Sequence, residues 1–134
     1  MKEFKQIFLE DLTDRDFFNL ELAVSLNQFG HTVEHILGSV AEHSSQLWRG
    51  TNGKKQFIMI TQIFNHPAGS ELRIWSLGGQ GYLPMIDLAG DGLKEFGKKY
   101  NCKWLTGKAK RKAFEKLYKR FNYTNDYQEY IVEI

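Results

Sequence analysis

The stretch Glu71–Tyr100, ELRIWSLGGQGYLPMIDLAGDGLKEFGKKY, constrains the fold more than any other part of the chain. Leu72, Ile74, Trp75 and Leu77 make a short apolar, aromatic run with strand character, which stops at Gly78-Gly79. Gln80-Gly81 follows, and Pro84 stands where a helix is expected to begin. Met85, Leu88, Ala89, Leu93, Phe96 and Tyr100 then recur at three- and four-residue spacing, which predicts one buried helical face. A strand, a glycine-rich turn and a helix in that order direct backbone N–H groups and a helix N-terminus at an anionic ligand. The glycines do not name the ligand, and the same residues also suit a plain turn.

A chain of 134 residues is expected to be one domain, 1–134, with a modest core. Its hydrophobic and charged fractions, 42% and 25%, exclude disordered and collagen-like classes. No apolar run approaches the roughly 20 residues that span a bilayer. The acidic start, MKEFKQIFLEDLTDRDFF, carries no cleavable-signal pattern, so a cytosolic protein is expected. Cys102 is the single cysteine and reads as a small buried hydrophobe.

Charge is distributed unevenly. The N-terminal third is acidic, with Glu10, Asp11, Asp14, Asp16, Glu21, Glu34 and Glu42. Between Lys103 and Arg120 stand Lys103, Lys108, Lys110, Arg111, Lys112, Lys116, Lys119 and Arg120 against Glu115 alone. This polarity fits an anionic partner at the basic end, and equally a solvated helix face. Lys108, Lys110, Arg111 and Lys112 crowd the start of a predicted helix, against its dipole, which an anion would relieve.

Taken in order, the first helix is predicted from near Asp14 to Gly30, capped by Asp11 or Thr13. Its apolar stripe is Phe17, Phe18, Leu22, Val24, Leu26 and Phe29. A second, from Thr32 to about Glu42, buries Val33, Ile36, Leu37 and Val40. Gln46–Gly50 and Gln56–Phe64 read as strands joined by a hairpin turn centred on Asn52-Gly53. The Glu71–Leu77 strand and the Pro84–Tyr100 helix come next, then a strand at Cys102–Thr106. A helix over Ala109–Phe121 and a strand over Gln128–Ile134 close the chain. Meander-like strands followed by β-α-β-α-β predict an α/β domain with a mixed sheet flanked by helices. Trp75 is expected on the central strand, packed between the Met85, Leu88, Leu93, Phe96 stripe and that of Phe114, Leu117 and Phe121.

This order of elements resembles the GNAT N-acyltransferase superfamily, with its two N-terminal helices, antiparallel meander, third helix, fifth strand, fourth helix and final strand. Tyr118, Arg120, Asn122 and Tyr123 are similar to that family's fourth-helix ending, Tyr-x-Lys-x-Gly-Phe. Gln46-Leu47-Trp48, Ile60-Thr61-Gln62-Ile63, His66-Pro67, Leu77-Gly78-Gly79, Tyr100-Asn101-Cys102 and Gly107-Lys108 also resemble, in that order, small GNAT-like proteins of tailed bacteriophages.

The resemblance implies an acyl-CoA site at Leu77, Gly78, Gly79, Gln80 and Gly81, with Lys108 and Arg111 facing phosphate. It also implies Tyr118 as the acid that protonates a leaving thiolate; for the base that such chemistry needs, Glu71 or His66 is named only from its place near the central strand. The family's pyrophosphate loop, Arg/Gln-x-x-Gly-x-Gly/Ala, is altered here. With Gln80 at its first position, Leu83 and Met85 replace its small residues, Pro84 removes an N–H and Asp87 adds a negative charge. Its β-bulge is expected at Leu77-Gly78-Gly79.

Three functions follow from these readings. The favoured one is a non-catalytic or degenerate GNAT-like phage protein acting through phage or host protein partners in virion assembly, placed in the host cytoplasm or in the virion. The alternatives are an acyl-CoA-dependent N-acyltransferase acting on an amine, and a nucleic-acid-binding module using residues 103–120. A further pattern, His31-Thr32-Val33-Glu34-His35, matches the H-x-x-E-H of inverted zinc peptidases. A catalytic zinc needs a third protein ligand held on a scaffold with a cleft, Gly30 marks a helix break or start just before His31, and the chain is short for a peptidase domain, so no metal is assigned.

Overall fold

The structure is a computed structural model that describes residues 2–25, 30–108, 124–126 and 129–134, with backbone alone at 108, 124–126 and 129–132. Seven strands form one mixed sheet in the order β1-β2-β3-β4-β5-β7-β6. They are β1 (Lys2–Ile7), β2 (Ser45–Asn52), β3 (Lys55–His66), β4 (Gly69–Gly79), β5 (Cys102–Lys108), β6 (Thr124–Asp126) and β7 (Glu129–Glu133). The helices among the described residues are α1 (Asp14–Ser25), α2 (Val33–Ala41) and α3 (Ile86–Lys99). All neighbouring strands pair antiparallel except β4 and β5, which run parallel around α3. The α/β class and the mixed sheet are as the sequence predicts.

Helices cover both faces of the sheet, as alternation along the strands requires. On one side Trp48, Phe57, Met59, Leu72 and Ile74 meet Met85, Ile86, Ala89 and Leu93 of the α3 region. On the other, Ile7, Leu47, Ile58 and Ile60 meet Leu20, Ala23 and Val24 of α1 and Ile36 of α2. Phe57 is fully buried, its ring 5.1 Å from that of Tyr82, and a Cβ on Gly50 would fall on the same ring. Asn101 ends α3 in the left-handed region at φ 60°, a conformation asparagine enters readily.

Several expectations are corrected. β1 is a strand that the sequence reading left unassigned. Its six residues are mostly charged or polar, and its pairing with β2 comes from a segment far along the chain. The hairpin between β2 and β3 turns at Gly53-Lys54, because Asn52 pairs with Lys55 inside the ladder. β4 continues through Gly78 and Gly79 rather than stopping before them.

The inward face of α1 is Asp16, Asn19, Leu20, Ala23 and Val24, whereas Phe17, Phe18 and Leu22 are exposed. Small residues set that orientation: a Cβ on Gly78 would meet the α1 backbone at Asn19 and Ala23, so the helix rests directly on the strand. Leu88 and Tyr100, expected on the buried face of α3, are exposed. Leu26, Phe29 and the predicted Ala109–Phe121 helix lie outside the described residues.

Trp75 lies on β4, fourth of the seven strands, but packs towards α1 and α2 rather than α3. Alternation from Ile74 sets that side, and a β-bulge follows directly. Ile60 faces Ser76 and Thr61 faces Ile74, so Trp75 is the extra residue, two positions before the Leu77–Gly79 segment where a bulge was expected. Trp75 and Ser76 consequently fall on one face, where the Ser76 hydroxyl donates to the Ala23 carbonyl at 2.6 Å.

Candidate functional site

The turn after β4 is built as much from β3 as from its own residues. Gly79 sits at φ 120°, and a Cβ there would meet the Gln56 carbonyl and the Phe57 Cα. Gln80 donates its backbone N–H to that same Gln56 carbonyl at 2.9 Å. Asn19 Nδ2 of α1 donates to it as well, at 3.3 Å. Beyond Gly81 (φ 89°), a 3-10 turn at Leu83–Met85 leads into α3, with Met85 buried and Leu83 exposed. Pro84 has no N–H to offer, and the exposed Asp87 lies in the first turn of α3. Leu77 packs against the α3-side core. The glycines therefore have steric reasons to be glycine, and the first N–H of the turn is already engaged.

Glu71 forms a second centre. Leu72 and Ile74 enter the α3-side core, so Glu71 and Arg73 point to the opposite face. Glu71 is only 5% exposed and gathers groups from three strands. Its Oε1 lies 2.6 Å from His66 Nε2 of β3 and accepts from Arg73 Nη2 at 2.8 Å. Its Oε2 accepts from Arg73 Nε at 3.3 Å and from the Thr106 hydroxyl of β5. The Arg73 guanidinium also lies over the Phe64 ring, 4.4 Å from its centre.

Burial opposes ionisation of Glu71, but the hydrogen bonds from Thr106, His66 and Arg73 and the charge of Arg73 outweigh it. They hold the carboxyl below the usual glutamate range. Glu71 is accordingly a poor proton acceptor. Half-exposed His66 meets the carboxylate through Nε2, which leaves Nδ1 as the second polar atom of its ring. The structure thus joins the two residues named as alternative bases.

These two centres are not one site. Gly79 pairs with Phe57 at one end of the β3–β4 ladder, and His66 pairs with Gly69 at the other. Roughly 3.3 Å per residue puts about 25 Å between Gly79 and Glu71. Past Ile74, the last β4 residue paired with β5 (opposite Gly107), β4 runs on from Trp75 to Gly79 beside the turn. Tyr118 and Arg111 lie outside the described residues. Lys108 is placed by its backbone, opposite Glu129 in the β5–β7 pair.

Sequence reasoning missed a third polar centre. Asp16 is fully buried at the foot of α1, held by Arg49 Nε at 3.0 Å and Gln56 Nε2 at 2.8 Å, and by Arg49 Nη2. The Thr13 N–H donates to it at 2.9 Å, while the Asp16 N–H donates to the Thr13 hydroxyl at 3.2 Å. Burial works against its charge, but Arg49 and Thr13 bring the pKa below the usual aspartate range. The legible signal was Thr13-x-x-Asp16, a capping pair. Thr13 therefore caps α1, and Asp11 instead accepts from the Phe8 N–H of the preceding 3-10 turn.

Within the histidine pair, His35 belongs to the cap of α2. His35 Nδ1 accepts from the Thr32 N–H at 3.2 Å, so the neutral ring carries its proton on Nε2 and has no second lone pair. The His31 ring stands edge-on to Trp75, centres 5.1 Å apart. No group of three or more metal-ligating side chains occurs among the described residues. No helix among them is long and apolar enough to cross a membrane. No family model and no curated protein matches this chain.

Proposed function

We propose that the chain is a GNAT-type domain that no longer uses acyl-CoA and acts through protein partners in the virion assembly of a tailed bacteriophage. The assignment to GNAT is supported by the antiparallel β2–β3–β4 meander, α3, and β5 parallel to a bulged β4, the order the sequence resemblance implies. The phage setting, the host cytoplasm and a place in the virion rest on the short sequence motifs alone.

The observation that carries the loss of acyl-CoA is the turn after β4. An acyl-CoA pyrophosphate is held by free N–H groups at a helix N-terminus. Here the Gln80 N–H is bound to Gln56, Pro84 has none, and Asp87 adds a negative charge to the first turn. The deciding experiment is a thermal-shift titration with acetyl-CoA. A ligand at 100 times its Kd adds about 2.7 kcal/mol, a rise of several degrees for a domain this size. No rise is expected at millimolar acetyl-CoA; a clear one, absent with pantetheine, overturns the reading.

An active N-acyltransferase is the second reading, favoured by the Glu71–His66 pair and by the reach of β4 beyond β5. It requires both acetyl-CoA binding and a loss of turnover in His66→Gln.

A further inference from the structure

Of the eight large apolar side chains exposed among the described residues, five fall between positions 8 and 22. Phe17, Phe18 and Leu22 stand on the outer side of α1, with Phe18 60% exposed, and Phe8 and Leu9 begin the 3-10 turn before it. Phe18 and Leu22 are one helical turn apart, so their side chains are neighbours. None of these residues contributes to either core cluster. Aromatic side chains left together in water mark contact surfaces more often than scattered leucines do.

The surroundings state the chemistry of what would cover them. Between residues 8 and 25 the exposed charged side chains are Glu10, Asp11, Asp14, Arg15 and Glu21, four acids against one base. Asp14 and Glu21 lie on the same outward side of α1 as Phe18, one turn before and one after. An anionic lipid surface would be repelled by this rim. A helix that offers apolar residues at i, i+3, i+4 and i+7, flanked by lysine or arginine, complements it in both shape and charge.

We propose that the outer face of α1 is a docking surface for a basic amphipathic helix of a partner protein. The partner's apolar stripe lies along Phe18 and Leu22, and its cations face Asp14 and Glu21. This rests on the reading that the chain works through protein partners, and it gives that reading a surface and a partner chemistry. The surface is separate from the turn after β4, which leads into α3 on the other side of the sheet.

The test uses the full chain and two synthetic helical peptides with the same leucine stripe, one flanked by lysines and one by glutamates. Fluorescence anisotropy should show saturable binding of the lysine peptide that weakens as salt is added, and none of the glutamate peptide. Phe18→Ser with Leu22→Ser should weaken binding at least about tenfold while leaving the melting temperature unchanged, since both positions face solvent. Glu21→Lys, which leaves the apolar stripe intact, should weaken it as well. Equal binding of both peptides, or unchanged affinity in the double variant, overturns the proposal. So does a concentration-dependent dimer in sedimentation that the double variant abolishes, because the face then belongs to a second copy. Peptide binding reads the α1 face and acetyl-CoA binding reads the turn after β4, so failure of one is distinguishable from failure of the other.

Discussion

Asp16 carries a charge with no access to water because four donors surround it: two on Arg49, one on Gln56 and the Thr13 N–H. Asp16→Ala leaves Arg49 without its partner in a largely buried position and should cost about 3–5 kcal/mol in urea unfolding. Glu71 is built the same way, and both carboxyls titrate below their usual range. The sign follows. Between the unfolded and folded pKa values the unfolded chain binds more protons, so both groups stabilise the fold above about pH 4. That contribution is lost as pH falls through the folded values. Unfolding free energy should be flat from pH 7 to 5 and fall below about pH 4, with a shallower fall in Asp16→Asn. Only Thr13-x-x-Asp16 hinted at this in the sequence. Arg49, Gln56 and Thr106 sit far from their carboxylates along the chain, and no local pattern records such pairings.

Packing between α1 and β4 turns on what is missing rather than on what is present. Gly78 and Ala23 let the helix backbone touch the strand, and a Cβ on Gly78 has no flexible neighbour to displace. Gly78→Ala should therefore destabilise by about 2–3 kcal/mol. Gly38 in α2 is the converse, with nothing within 4 Å of an added Cβ. Gly38→Ala should stabilise by about 0.5–1 kcal/mol, the helix-propensity gain; differential scanning calorimetry on both variants measures the contrast. The same close contact explains why α1 was misread. A stripe of Phe17, Phe18 and Leu22 looks like a core face by periodicity, yet close contact favours the side with Asn19, Leu20 and Ala23. The stripe of α2 was legible because its apolar residues and its buried face coincide. In α3 the coincidence was partial, with Leu88 turned outward.

For the molecule as a whole, elements were more legible than sites. The meander, α3 and β5 follow from local apolar runs and turn residues, which local sequence can encode. The Glu71 centre was visible only as two isolated candidates, because antiparallel β3 and parallel β5 bring His66 and Thr106 to it through tertiary pairing. β1 is the extreme case, and its position has a consequence for how the chain assembles. β2, β3 and β4 join through short turns, so that hairpin pair can form early at little entropic cost. β1 must wait: Lys2 pairs with Asn52, across about fifty residues that include two helices. Synthesis delivers β1 first, yet its place in the sheet does not exist until β2 has formed. Of these four strands, the first made is thus expected to be the last to pair. Pulsed hydrogen exchange during refolding should find β1 amides protected later than those of β3 and β4.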